Sequence, residues 1–262
     1  MAQVVERILG KDEVGSSSLP SSSIQGNENS PVIFLFRDDK MEIIARIYND
    51  YNEKFGVPRQ SGIVEEKSVI VFEPKYRIAE ALRGIEEYNY LWLIWEFSEC
   101  KDKEWSPTVR PPRLGGNVRK GVFATRSPFR PNSMGLSSVK LIGKESTAEN
   151  GTILIVSGAD IMNGTPIYDI KPYLNYVDCH TDANNGFALS DKSPVLNVII
   201  PDEIKKEIPT EKAEIISAVL AQDPRPQYID DPEREYGISI SDMNIKFRIN
   251  GTNLTVTSAE KI

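Results

Sequence analysis

From Glu42 onward the chain is a succession of short runs rich in β-branched and aromatic residues, and this restricts its fold more than any other feature. The runs are EIIARIY (42–48), SVIVFE (68–73), YLWLIWEF (90–97), KGVFAT (120–125), SSVKLI (137–142), TILIVSG (152–158) and VLNVIIP (195–201). Runs of this length, closed by turn residues, read as strands. Several alternate with period two: in TILIVSG, Ile153, Ile155 and Ser157 fall on one face, Leu154 and Val156 on the other. Only short helices are expected between them, such as IAEALRG (78–84). No βαβ alternation appears and no G-x-G-x-x-G follows the first strand, which argues against a doubly wound nucleotide-binding sheet. Many short strands with turns between them lose their exposed edges by closing into one sheet. The expected fold is mainly β, with a single-sheet antiparallel β-barrel-like domain over residues 41–202.

After Pro201 the pattern changes. EKAEIISAVLAQD (211–223) carries Ala213, Ile216, Val219 and Leu220 at helical spacing, with acids early in the helix. YGISISDMNIKFRIN reads as two strands about a Ser241-Asp242 turn, and NLTVT (253–257) as a third. Residues 203–262 are therefore expected to form a small α+β C-terminal domain. At the other end, residues 1–40 read as an N-terminal extension. Its Ser-rich stretch GSSSLPSSSIQGNENS (15–30) holds too little apolar matter to offset the entropy of ordering it. PVIFLF (31–36) is expected to add a strand or to pack on the barrel.

A chain of 262 residues with 40% hydrophobic and 26% charged content suits an ordinary soluble protein of one or two domains. Its richest apolar run, LWLIW (91–95), is far shorter than the roughly 20 residues of a membrane helix. Charge and glycine interrupt MAQVVERILGKDE where a secretory signal would be apolar. The two cysteines, Cys100 and Cys179, make neither a disulfide framework nor a metal cluster. A cytoplasmic protein without membrane or metal partners is the expectation. The single histidine, His180, reads as a surface loop residue.

One stretch inverts the charge of the whole. Between Ser106 and Lys144 there are eight Lys or Arg and no Asp or Glu, in a protein of net charge -7. Clustered cations lower the energy of a nearby phosphate or carboxylate. The same stretch holds Pro111, Pro112, Gly115, Gly116, Pro128, Pro131 and Gly135, residues that stiffen a loop or admit close backbone approach. An anion site of fixed shape is one reading, and a solvated basic loop between strands is the other.

GVFATRSPFRPNSMGLS, preceded by VRPPRLGGN, resembles the signature of the β-barrel tRNA (N6-threonylcarbamoyladenosine(37)-N6)-methyltransferases. KFGVPRQSG (54–62), ALRG (81–84) before LWLIWEF, NGTPIYDIKPYL (163–174), AQDPRPQY and YGISISDMNIKFRI are similar to further family motifs, in the family's order, over roughly residues 43–249. The resemblance implies a single-sheet β-barrel, S-adenosylmethionine as methyl donor, the anticodon loop of tRNA as acceptor, and a homodimer. It places donor contacts on Pro58, Arg59 and Gln60; on Ser98 and Glu99; on Arg126; on Leu136; and on Asn163, Gly164, Thr165 and Pro166. These residue types suit the ligand. A guanidinium forks onto a carboxylate, Leu136 covers an apolar face, and Gln60 and Asn163 offer amide bonds to an adenine edge. Arg110, Arg113, Arg119, Lys120 and Arg130 are the candidate phosphate contacts, Tyr173 the candidate stacking residue, and Asp169 and Lys171 the candidates for ordering the pocket. No residue is assigned to remove the N6 proton.

The sequence departs from the family where Asn163 stands for an acid, Asn89-Tyr90 for Ser-His, and Ser98 for a histidine. Asn163 and Ser98 keep open a non-catalytic RNA-binding barrel that retains the scaffold. A hydrolase built on Ser127 or Ser133 is disfavoured, since neither sits in G-x-S-x-G.

Overall fold

The computed structural model describes residues 41–100, 104–111, 114, 117–187, 196–225 and 231–262. The N-terminal extension over residues 1–40 and Arg113 lie outside them. Six strands form the first sheet: β1 (Ala45–Tyr48), β2 (Lys67–Phe72), β3 (Tyr90–Glu96), β6 (Met134–Thr147), β7 (Gly151–Ser157) and β8 (Pro166–Pro172). Their order is β1-β2-β7-β6-β3-β8, every pairing is antiparallel, and the Ala45–Ile167 and Arg46–Pro166 pairs close the barrel.

Closure depends on β6, which is 14 residues long. Its first half pairs with β3 and its second with β7, and the register shifts between Leu141 and Gly143. An irregularity of that kind bends a strand and lets a sheet curl. Inside, Leu91, Leu93, Trp95, Val139, Leu154, Val156 and Ile167 form the core. They are the alternate residues of their strands, so period-two patterning produced the interior. YLWLIWEF divides accordingly: Trp95 lies within the barrel, while Trp92 faces outward and donates its indole N–H to Asp178 at 2.9 Å.

Two expected barrel strands are corrected. KGVFAT contributes only β5 (Lys120–Gly121), paired with β4 (Thr108–Val109) in a separate two-stranded ribbon, and then turns into a 3-10 helix at Val122–Ala124. The short run had no neighbouring strand left to meet, because β3 and β6 already pair directly. VLNVIIP contributes β9 (Asn197–Ile199), which pairs in parallel with β12 (Asn253–Lys261) rather than with the barrel. The barrel had already closed at β8, leaving no edge for it. The second sheet, in order β10-β11-β12-β9, adds β10 (Tyr236–Ile240) and β11 (Met243–Asn250). Among the described residues three α-helices lie outside the sheets: α1 (Asn175–Asp178), α2 (Asp202–Lys205) and α3 (Thr210–Leu220). Ile216, Val219 and Leu220 of α3 pack on the C-terminal sheet. Ser241 and Asp242 both have positive φ, 53° and 59°, as a tight hairpin turn between right-twisted strands requires.

The connection from β1 to β2 joins the two sheets. Tyr51 and Val64, on that connection, are buried in the C-terminal core. The Ser241 N–H donates to the Asp50 carbonyl at 3.4 Å, and the Ser239 hydroxyl to Glu53 at 2.9 Å. Glu66 is buried at this junction and accepts from the Asp50 N–H at 3.3 Å. Burial pushes its carboxyl above the usual range, and the Asp50 charge adds to this, while Tyr51 and Lys212 pull the other way. A carboxylate whose folded pKa is raised opposes folding above that pKa, and the penalty fades as pH falls toward the unfolded value. Glu66→Gln is therefore expected to raise the urea midpoint at pH 8 and to lose that advantage near pH 4. An equal midpoint at pH 8 would show that the charge is not destabilising.

Candidate active site

Antiparallel closure brings the ends of β1, β3 and β7 and the starts of β2, β6 and β8 to one rim. Pro58, Arg59 and Gln60 lie on the β1–β2 connection, and Ser98 and Glu99 in the 3-10 turn after β3. Arg126 precedes β6, Leu136 is its third residue, and Asn163–Thr165 lead into Pro166 at the start of β8. All eleven residues assigned to the donor by resemblance therefore stand at the same end of the barrel.

The Pro58–Gln60 segment is pinned on two sides. Gly62 donates its N–H to the Gly158 carbonyl at 2.8 Å, just past β7. A Cβ on Gly158 would come within 3.3 Å of the Gly62 backbone, and its φ of +82° is one that glycine adopts without strain. On the other side, Arg59 reaches the C-terminal domain and donates to the Asp223 carbonyl at 2.5 Å. Pro58 is buried and Gln60 exposed. The Gln60 side-chain carbonyl accepts a short hydrogen bond from Arg126, and its amide donates to the Arg59 carbonyl at 2.5 Å. The Arg126 guanidinium is exposed and meets a neutral acceptor there, so its charge is not spent on a carboxylate by hydrogen bonding.

At the start of β8 the polar groups are largely committed. Asn163 accepts from the Asn49 N–H at 3.2 Å and donates to Asn52 at 2.9 Å, which ties the end of β1 to this loop. Gly164 has φ +76°, donates to the Ile47 carbonyl at 2.8 Å and accepts from Arg46 at 3.1 Å. The glycine thus serves the turn. Thr165 and Pro166 are buried against β1. Leu136 is 58% exposed and faces out from β6.

The structure adds residues that the motifs did not single out. After the Ser157–Lys140 pair β7 leaves β6, and the departing chain returns Asp160 to Ser137. The Ser137 hydroxyl donates to Asp160 at 2.5 Å and accepts the Trp95 indole N–H at 2.9 Å. The Ser61 N–H also donates to this carboxylate, and Arg126 lies close enough to act on it electrostatically. Burial pushes the Asp160 carboxyl above its ordinary value; the hydrogen bonds and Arg126 oppose that. At the end of β3, the Glu96 carboxylate accepts from the Tyr168 hydroxyl at 2.6 Å, and burial with the Glu96 hydrogen bond and charge pushes that phenol up to about 12. GADIMNGTP holds Asp160 only three residues before Asn163, and that proximity was the one sequence signal for it.

The residues expected to contact phosphate are spread over the basic stretch. Arg110, Arg119 and Lys120 lie on or beside the β4–β5 ribbon, where Arg119 donates to Thr108 at 2.8 Å and the Lys120 ammonium is 6.0 Å from the Phe187 ring. Arg130 folds back onto its own loop, donating to the carbonyls of Val122 at 3.2 Å and Thr125 at 2.8 Å. Tyr173 stands at the other end of the barrel, its N–H bonded to the Tyr90 carbonyl at 3.0 Å and its ring 5.3 Å from Trp92. Six residue steps of β3 from Tyr90 to Glu96 separate it from the rim, roughly 20 Å. Asp169 and Lys171 pair with each other at 3.0 Å. Among the described residues no group of His, Cys, Asp or Glu gathers to hold a metal ion, and no helix is long and apolar enough to cross a membrane.

The rim combines a guanidinium, a half-buried carboxylate, amide groups and an exposed leucine. Such a set suits a small zwitterionic ligand that carries an extra positive charge and an apolar part. The tRNA-methyltransferase O N-terminal domain family matches residues 46–179, and the TrmO C-terminal domain family residues 193–262. A tRNA (adenine(37)-N6)-methyltransferase of Escherichia coli K12 is 38% identical over 232 residues, covering 84% of this chain and 97% of the relative. A protein of the same name from Eikenella corrodens is 46% identical over 163 residues, 62% of this chain and 91% of the relative. The crystal structure of TrmO from Pseudomonas aeruginosa superimposes with a TM-score of 0.70 at 31% identity, covering 87% of this chain and all of that one. Fold and rim define a β-barrel methyltransferase of the S-adenosylmethionine-dependent class. The chain belongs to the tRNA-methyltransferase O family.

Proposed function

We propose that this protein methylates N6 of threonylcarbamoyladenosine at position 37 of the tRNA anticodon loop, with S-adenosylmethionine as donor. The observation that carries the reading is the convergence of Gln60, Arg126 and Asp160 at one rim, Arg126 being one of the eight cations of the basic stretch. The relatives' printed activity on adenine 37 of tRNA supports it. Arg126 suits the donor's carboxylate, Asp160 its positive charge, and the exposed face of Leu136 its apolar part. When bound, the donor supplies an electrophilic methyl group on a sulfonium. The protein's part is to hold donor and acceptor in line and to exclude water, which accounts for much of the acceleration in such reactions. Arg110, Arg119 and Lys120 of the ribbon would hold loop phosphates, and N6 must leave the base stack to reach the rim.

A homodimer completes this reading. Tyr173 cannot stack on a base held at the rim of its own subunit, given roughly 20 Å of barrel between them. Two-fold pairing would bring one subunit's Tyr173 end toward its partner's rim and join two basic stretches into one field. The cytoplasm is the compartment in which such an acceptor is met.

The test is nucleoside mass spectrometry of tRNA lacking the methyl group, incubated with the protein and S-adenosylmethionine. A one-methyl gain on threonylcarbamoyladenosine, with none on unmodified adenosine 37, is expected. Equal gain on both would remove the threonylcarbamoyl requirement. Calorimetric binding of the donor without methylation would favour the RNA-binding scaffold instead. Sedimentation tests the dimer, and activity regained on mixing Arg126→Ala with Tyr173→Ala would place both residues in one shared site.

A further inference from the structure

We propose that Asp160 is the specificity-determining carboxylate of the rim: held by Ser137 and the Ser61 N–H, it makes the site prefer a cationic sulfonium donor over the neutral thioether left after transfer. The inference rests on the donor assigned above and goes beyond it, because it names the group that tells donor from spent product.

Asp160 is placed for this by three independent elements. The chain leaving β7 carries it, Ser137 of β6 donates to it at 2.5 Å, and the Ser61 N–H of the Pro58–Ser61 segment binds it as well. Ser137 is itself 1% exposed and held by the Trp95 indole at 2.9 Å, so the carboxylate stands at the end of a hydrogen-bonded row from the barrel interior. Two fixed donors and a rigid supporting row leave it little freedom to swing away from the rim. Two neutral amides of the assigned donor set, Asn163 and Gln60, are unsuited to the task. The amide of Asn163 is neutral and already bonded to Asn49 and Asn52. Gln60 is neutral and bonded to Arg126 and the Arg59 carbonyl.

The charged and titratable groups that face Asp160 are Arg126, which favours its anionic form, and Tyr51, whose buried hydroxyl stays a neutral phenol. A carboxylate kept partly out of water attracts a cation more strongly than one in bulk solvent, because screening is weaker. Donor and product share the ammonium, the carboxylate and the adenosine. They differ at sulfur, which is positive in one and neutral in the other. A fixed negative charge at the rim therefore separates the two ligands, whereas hydrogen bonds to their common parts do not.

The experiment is calorimetric titration of the full-length protein with S-adenosylmethionine and, separately, with S-adenosylhomocysteine. In wild type the donor is expected to bind more tightly than the product. Asp160→Asn should weaken donor binding by about tenfold or more and product binding by no more than about threefold, the size expected when one charge-assisted contact is lost. Ser137→Ala keeps the charge but frees it to swing away from the rim, and should lower donor affinity more than product affinity, narrowing their ratio by less than Asp160→Asn does. Should Asp160→Asn not fold, the wild-type ratio of the two affinities is followed with pH. It should fall as the medium is made acidic, beginning above the ordinary aspartate range because burial raises this carboxyl. Donor and product affinities that drop in parallel in Asp160→Asn, or a wild-type ratio that is flat with pH, overturn the inference. Failure of wild type to bind S-adenosylmethionine at all would instead overturn the assignment of the donor.

Discussion

Gly135→Ala is expected to destabilise the barrel by about 1–3 kcal/mol, the usual penalty for forcing a methyl into a packed interior. A Cβ on Gly135 would sit 2.3 Å from Cε2 of Trp95, which no real contact tolerates. The ring cannot easily retreat. Its N–H is bonded to Ser137 at 2.9 Å, Phe97 packs 4.3 Å away, and Trp95 and Gly135 are paired across β3 and β6. Gly143→Ala on the same strand is the control, since nothing lies within 4 Å of its added methyl. Urea unfolding should show a clear fall in midpoint for Gly135→Ala and little change for Gly143→Ala. Equal behaviour would mean that the indole is free to move. Because Trp95 supports Ser137 and so Asp160, the alanine variant should also bind S-adenosylmethionine less tightly at temperatures where it stays folded.

The second large effect is expected at Arg126. Its guanidinium stands exposed at the rim, bonded to Gln60. Arg126→Ala should weaken S-adenosylmethionine binding by about 1.5–3 kcal/mol, the value of a hydrogen bond to a charged group. Arg119 is on the ribbon, bonded to Thr108, and its loss should leave donor affinity unchanged. Arg119→Ala should instead weaken tRNA binding and reduce its salt dependence, since one phosphate contact releases about one counterion. Calorimetry with the donor and filter binding of tRNA across a salt series separate the two. Equal donor affinity in both variants would take Arg126 out of the site.

Much of the architecture was legible from local pattern. Strand positions such as 90–97 and 152–158 were readable because alternation of apolar residues reports which face is buried, whatever the strand pairs with. The helix over Thr210–Leu220 and the Ser241–Asp242 turn were readable for the same reason, being local in their causes. VLNVIIP was misplaced because an apolar run says that a strand is buried and not in which sheet. The partner of β9 is β12, more than 50 residues away. KGVFAT failed for want of a neighbour: its composition suits a strand, but β3 and β6 had already taken each other.

The site divides along the same line. The sequence by itself determined the strand periodicity, the basic stretch and the motif residues, since each depends on composition or spacing along the chain. It carried Gln60, Arg126, Leu136 and Asn163 as separate candidates. Only the tertiary structure decided that Gln60 and Arg126 touch, that Asn163 and Gly164 spend their polar groups on β1, and that Tyr173 stands at the far end of the barrel. Asp160 shows the physical reason most clearly. An aspartate in a loop is usually solvated, and apart from its closeness to Asn163 nothing local marks this one. Closure of the sheet brings Ser137 from 23 residues away and Ser61 from the β1–β2 connection, and removes part of the surrounding water. Burial and hydrogen bonding by distant segments are properties of the closed barrel, so the chemistry of that carboxyl exists only once the barrel has formed.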